Sequence, residues 1–222
     1  MSEKVRRIIL IFIFFYMIDL IIALLSYDVA GIGPASTTIG LAGVNGWFRR
    51  ISGFGDSEAY SVPLYGAVCV LGGLSGIVCL FWSGLFIRDM VCSGRADGVG
   101  TDKNLAASFF LYILTALNCG LFRLIHINYG PVLTSELKPA VSFPSAAVLW
   151  IIIAMGSTVF HVWDLLGEKK RPACILSIVC TAVMILGIIF GLVCGRYWFT
   201  DIIGAVLLGA MLILLYSFFF YI

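Results

Sequence analysis

Six times along this chain an apolar run reaches the length of about 20 residues at which a helix crosses a bilayer. The runs cover approximately residues 8–26, 62–87, 105–125, 145–166, 173–194 and 201–221. A lipid core offers no water to unpaired backbone groups, so each run must be a helix with its hydrogen bonds closed inside itself. The expectation is an all-α polytopic membrane protein, a six-helix bundle filling residues 1–222 as one membrane-embedded domain. Composition agrees: 61% of the residues are apolar and 12% charged, against about 25% charged for a soluble domain. The formal charge of +2, with basic residues scattered at span ends, excludes a nucleic-acid partner. The 7 cysteines lie mostly inside apolar runs without zinc-site or disulfide-framework spacing, so they read as small core residues. No metal and no cofactor is expected. The first run follows Lys4, Arg6 and Arg7 but is too long for a signal-peptide core and lacks a small-residue cleavage site. It reads as an anchor.

Lys and Arg concentrate in cytoplasmic loops, which orients the bundle. With the N-terminus inside, the inner side holds Lys4, Arg6, Arg7, Arg88, Arg95, Lys103, Lys169, Lys170 and Arg171; the outer side holds Arg49, Arg50, Arg123, Lys138 and Arg196. Nine against five favours both termini in the cytoplasm of a cell-membrane protein. The first outer segment, about Ser26 to Tyr60, contains Val44-Asn45-Gly46-Trp47-Phe48-Arg49-Arg50, which reads as interfacial with its arginines reaching outward. The polar loop from Arg88 to Lys103 reads as a plain cytoplasmic connection. Asp19 stands near the middle of the first span. A carboxylate there costs about 2.5–3.5 kcal/mol on insertion scales, so it is expected to face the bundle interior and find a donor. His161 and Asp164, at i and i+3, are expected to form an interfacial pair.

The longest interruption in the second half runs from Arg123 to Ala147 and is expected to meet whatever the protein binds. Phe143-Pro144-Ser145 within it is a helix-start signal, and free N–H groups at such a start attract anions. Arg123 at the C-terminal end of the third span suits the helix dipole, and His126 follows on the same face. The same topology brings the turn Gly195-Arg196-Tyr197-Trp198-Phe199-Thr200-Asp201 to this side, with Thr200 placed to cap the last helix and Asp201 in its first turn. Spacing alone leaves two readings open, an anion site or ordinary capping and anchoring.

In register, these three segments resemble the type 2 phosphatidic acid phosphatase and haloperoxidase superfamily of membrane lipid phosphatases. That family's signature is Lys-x6-Arg-Pro, Pro-Ser-Gly-His and Ser-Arg-x5-His-x3-Asp on the outer ends of a six-span bundle. Arg123 stands at the lysine, Gly130 at the arginine and Pro131 at the proline of the first motif. The second falls on Pro144, Ser145, Ala146 and Ala147. In the third, Phe190-Gly191 replace Ser-Arg, Tyr197 takes the histidine position and Asp201 matches the aspartate.

The resemblance implies phosphate contacts from Arg123, Ser145, Arg196 and Lys138, with Asp201 as the retained motif aspartate. It also implies a damaged mechanism. The family's nucleophile is the third-motif histidine and its proton donor the second-motif histidine; Tyr197 and Ala147 stand there and are not expected to perform those roles. Both motif arginines are glycine, which removes charge stabilisation from the transition state. Losses of units that act together cost roughly 10⁴ to 10⁶ in rate. Three functions follow: an impaired enzyme that still holds an anionic lipid headgroup or phosphate, with membrane lipids as its partners; an active lipid phosphate or pyrophosphate phosphatase rewired around His126 as acid or base; or a structural, partner-binding bundle. Ala147, Gly130 and Gly191 are small enough to leave a cavity, and Tyr197 and Trp198 large enough to fill it.

Overall fold

The computed structural model describes residues 3–55, 57, 59–93, 102–133 and 138–220. Six long helices carry the apolar runs: α1 (Glu3–Ser26), α3 (Val62–Ser93), α4 (Lys103–Ile125), α5 (Ala146–Leu166), α6 (Lys170–Val193) and α7 (Phe199–Phe220). A short α2 (Ala42–Ile51) lies between the first two of them. Among the described residues there is no strand, only the isolated bridges Ala30 to Ile39 and Tyr129 to Val141. All six long helices are long and apolar enough to span a membrane.

α3 runs on past the expected residue 87 through Arg88 and Asp89 to Ser93. At about 1.5 Å per residue it exceeds a hydrocarbon core, so it tilts or projects into the aqueous boundary. There the carboxylate of Asp89 accepts the N–H of Asp102 at 2.7 Å, and Asp102 caps α4 by accepting from Asn104 N at 2.8 Å. A capping aspartate before an apolar run explains why α4 starts where it does. The remainder of the expected 88–103 connection, residues 94–101, lies outside the described residues.

α5 is the hub. Its Ile151, Ile153 and Ala154 are fully buried, and it packs against α3, α4, α6 and α7. Lipid tails are as apolar as leucine, so such helices associate through close packing and small residues rather than through exclusion of water. Gly209 of α7 shows this: a Cβ there would stand 2.7 Å from the Ile152 side chain. Polar groups join the helices deeper in, where Tyr112 and Ser157 hydroxyls meet at 2.9 Å and Trp82 donates to Thr158 at 3.0 Å.

Three expectations change. Asp19 does not face the bundle; it is exposed on the outward side of α1. His161 is buried and stacked on Trp82 at 4.1 Å, whereas Asp164 is exposed and takes its hydrogen bond from Asn104 at 3.1 Å, so Asp164 stays within His161's electrostatic reach without being its main packing partner. Arg49 does not reach outward. It is 6% exposed and donates to the carbonyls of Gly195 at 2.6 Å, Ala59 at 3.1 Å and Ser57. Asn45 and Arg49, at i and i+4, share the face that α2 turns inward, while Trp47 stays exposed on the other side.

Candidate functional site

The first connection, the α4–α5 loop and the α6–α7 turn meet at one end of the bundle. Asn45 of α2 ties the first to the last: its carbonyl accepts Thr200 N at 3.1 Å and its amide donates to Thr200 Oγ1 at 3.1 Å and to Gly40 O at 2.9 Å. Thr200 is therefore not the cap of α7; Asn45 satisfies that helix end from across the chain. The α4–α5 loop folds on itself, with Gly130 N donating to Ala140 O at 2.8 Å and Ser142 N to Asn128 O at 3.0 Å. Trp198 pins it to the turn through Nε1 donating to Tyr129 O at 2.7 Å.

Beneath these segments lies a sealed polar layer. Asp201 and Ser145 are both 0% exposed. Asp201 accepts the N–H of Trp198 through Oδ2 at 3.0 Å, the return half of a capping box, and its backbone carbonyl accepts Ser145 N at 3.1 Å. Its other oxygen, Oδ1, neighbours Ser142 and Asn128, and with Ser142 Oγ, Ser145 Oγ and Asn128 Nδ2 it is buried without a partner at hydrogen-bond geometry among the described residues. Above it, the Tyr197 ring packs 6.1 Å from Tyr65, which in turn lies 5.6 Å from Tyr60. Burial first, then the neighbouring Tyr65, pushes the Tyr197 phenol well above its ordinary range, against a lowering contact from Ser145. Burial therefore favours the neutral phenol at Tyr197.

The small residues at motif positions do not share one fate. At Gly191 no space is left: a Cβ would stand 2.9 Å from both Ile202 Cδ1 and Val148 Cγ2, so core has closed over the place of the family's arginine. At Gly130 the space is shared by Arg196 and Ser142, whose Nη1 and Cβ each lie 3.3 Å from where a Cβ would be, and Arg196 Nη1 donates to Val132 O at 3.4 Å. The same guanidinium sits 5.8 Å above the Tyr65 ring. At Ala146 and Ala147 a cavity remains. There a cleft of about 500 Å³ opens on the flank between α3, α4 and the start of α5, walled by Gly72, Gly73, Ala116, Gly120 and Ala147, with Arg123 in its lining.

The structure thus brings Arg123 and Ala147 together in the cleft, and Ser145, Tyr197 and Asp201 together in the layer behind. The cleft's lining includes neither Ser145 nor Asp201. His126 is exposed at the end of α4 in a left-handed conformation (φ 53°), its Nδ1 2.7 Å from Leu124 O, and it does not line the cleft. Lys138 is exposed on the loop, next to residues 134–137, which lie outside the described set. Sequence reasoning missed Tyr65, Gly72, Asn45 and Arg49. The polar i, i+4 pair Asn45 and Arg49 on one face of a short amphipathic helix was the available signal for the last two.

These elements define a polytopic helical membrane protein with the type 2 phosphatidic acid phosphatase fold. Among solved structures the chain is similar to the crystal structure of the first transmembrane PAP2 type phosphatidylglycerolphosphate phosphatase from Bacillus subtilis, with a TM-score of 0.55 and 14% sequence identity over 96% of each chain. No protein-family description and no curated protein matches the sequence.

Proposed function

We propose that this is a lipid-phosphatase-like membrane protein that holds an anionic lipid headgroup and hydrolyses it little or not at all. The observation that carries the reading is the cleft: an open groove on the membrane flank has Arg123 in the last turn of α4, while the retained aspartate is sealed away from it. Small residues below Arg123 leave room for an acyl chain beside the helices, and the guanidinium stands at headgroup level to bind phosphate oxygens in pairs. Arg196 and Lys138, at the same end, are the further phosphate contacts of the reading. Cleavage lacks a proton donor at Ala147 and a nucleophile at Tyr197. In this proposal residues 1–222 act as one domain in the cell membrane, with both termini cytoplasmic and the cleft opening in the outer leaflet; the excess of inner over outer cations supports that orientation.

The test pairs binding with turnover on purified protein. Phosphatidic acid, phosphatidylglycerolphosphate, phosphatidylcholine and inorganic phosphate are titrated separately, and phosphate release is followed with each phosphorylated compound. The anionic lipids are expected to bind above phosphatidylcholine, with Arg123→Ala weakening them by about 10- to 100-fold, the worth of one or two charge-assisted hydrogen bonds. Inorganic phosphate alone is expected to bind weakly. Release that His126→Ala abolishes would overturn the impaired-enzyme reading in favour of a rewired phosphatase. Binding of no lipid, with Arg123→Ala changing nothing, would make the bundle structural.

A further inference from the structure

Among the helices only α7 packs against α1, and although Ile21 touches the core no residue of its span Ile8–Ser26 is fully buried. On the side away from α7, Phe12, Tyr16, Asp19 and Ile22 form one stripe at helical spacing, and all four are exposed. In a membrane that stripe meets hydrocarbon, and Asp19 is the residue that does not belong there. Among the described residues no group donates a hydrogen bond to it or pairs with it.

Asp19 has no route to water. It lies 7 residues from Ser26 and 11 from Ile8, which at 1.5 Å per residue is about 10 Å and about 16 Å from the two ends of the span. Lysine and arginine escape such positions by extending along the helix to the boundary, but a carboxylate on one methylene cannot. Side chains on a helix also lean towards its N-terminus, which here is the farther end. Intramembrane carboxylates persist where another group compensates them.

We infer that this face of α1 is a docking surface for a transmembrane helix of another membrane protein that carries a Lys or Arg at the depth of Asp19. A second copy of this chain fits poorly. Its described spans carry their cations, Arg88, Lys103, Arg123, Lys170 and Arg171, at or within about a turn of their ends, and pairing two α1 faces side by side would set Asp19 against Asp19. Charge complementarity therefore selects a foreign basic helix.

The experiment reconstitutes the full chain in vesicles with donor-labelled synthetic helices of leucine and alanine, one bearing a single lysine at matched depth and one bearing leucine there. Association is read by energy transfer to acceptor-labelled protein. The lysine helix is expected to associate about tenfold more tightly than the leucine helix, the scale of one interhelical polar contact. Asp19→Leu removes the difference and Asp19→Glu retains it. Asp19→Leu places an apolar residue against lipid and leaves the fold's packing untouched, and the unchanged baseline of the leucine helix verifies this. Equal association of the two helices with the wild type, or a lysine preference that survives Asp19→Leu, overturns the inference. So does Asp19-dependent transfer between two labelled copies of the chain with no lysine preference.

Discussion

Arg49 is the clamp that closes the site end, and cutting it should open the α6–α7 turn locally. Its guanidinium holds three carbonyls, of Gly195, Ser57 and Ala59, and lies 5.8 Å from the Phe54 ring and 5.7 Å from the Trp198 ring. Hydrogen bonds from a charged donor contribute about 1.5–3 kcal/mol each, but they are not additive, and desolvating the cation offsets part of the gain. Arg49→Met, close in volume and neutral, leaves those carbonyls without their donor; about 3–4 kcal/mol is the expected cost, in the range for breaking a buried charged network. The reporter is Cys194, next to Gly195. It is fully buried, and burial raises its thiol above the usual range, so the closed turn reacts slowly at pH 8. If labelling requires local opening, a loss of about 3–4 kcal/mol raises the rate by roughly 10²- to 10³-fold. Timed labelling with a water-soluble maleimide, followed by peptide mass spectrometry, separates Cys194 from the other six cysteines. Arg49→Lys keeps a charge but loses the fork and should fall between. A Cys194 rate in Arg49→Met within about threefold of the wild type, too small a change for a lost clamp, would refute the reasoning.

Asn45→Ala removes the borrowed cap of α7 and strands Thr200 N and Gly40 O, so the thermal midpoint in detergent should drop by an amount equivalent to about 2–4 kcal/mol; Asn45→Ser should recover part of it. The folded protein holds the Tyr197 proton more tightly than the unfolded chain does, so its contribution is constant below about pH 10 and stability declines as pH rises above that value. Tyr197→Phe should flatten the decline, measured as thermal midpoint against pH, and leave any phosphate release near neutral pH unchanged. Restoring the family's residues singly should not restore turnover. Ala147→His supplies a proton donor beside an empty cleft, whereas Gly191→Arg drives a side chain into Ile202 and Val148 and should cost about 3 kcal/mol or more of stability by overpacking, read by chemical denaturation in detergent.

The spans were legible because a helix that crosses lipid must be apolar over its whole length, a signal that needs no partner to be read. The ends were less so. α3 passed its expected stop because Arg88 and Asp89 are tolerated where the helix leaves hydrocarbon, and only the Asp89–Asp102 contact shows where it turns. At the site, spacing brought Arg123, Ser145, Tyr197 and Asp201 to one end, but it could not separate the open cleft from the sealed layer. That division depends on which neighbour moved into each vacated volume: Arg196 with Ser142 at Gly130, Ile202 with Val148 at Gly191, and nothing at Ala147. Arg49 was misjudged for a related reason. An arginine beside a tryptophan reads as a boundary residue, and its hold on the Gly195 carbonyl, 146 residues away, is invisible in the local sequence.

The buried Asp201 has a structural task that needs no catalysis. In the family pattern this carboxylate serves a histidine; here it closes the first turn of α7 through Trp198 N, and its own carbonyl receives Ser145 N from the start of α5. The first closes the helix start and the second joins it to the α4–α5 loop, so removing the carboxylate would orphan the buried Trp198 N–H whether or not any substrate is turned over. Its retention is thus explained by folding alone. Arg123 is the contrary case: it is exposed, no described group fixes its head, and the fold does not need a cation at that point beyond a favourable helix end. The residue whose presence structure explains least lines the cleft at Ala146 and Ala147, and in the function proposed above a ligand is the missing reason.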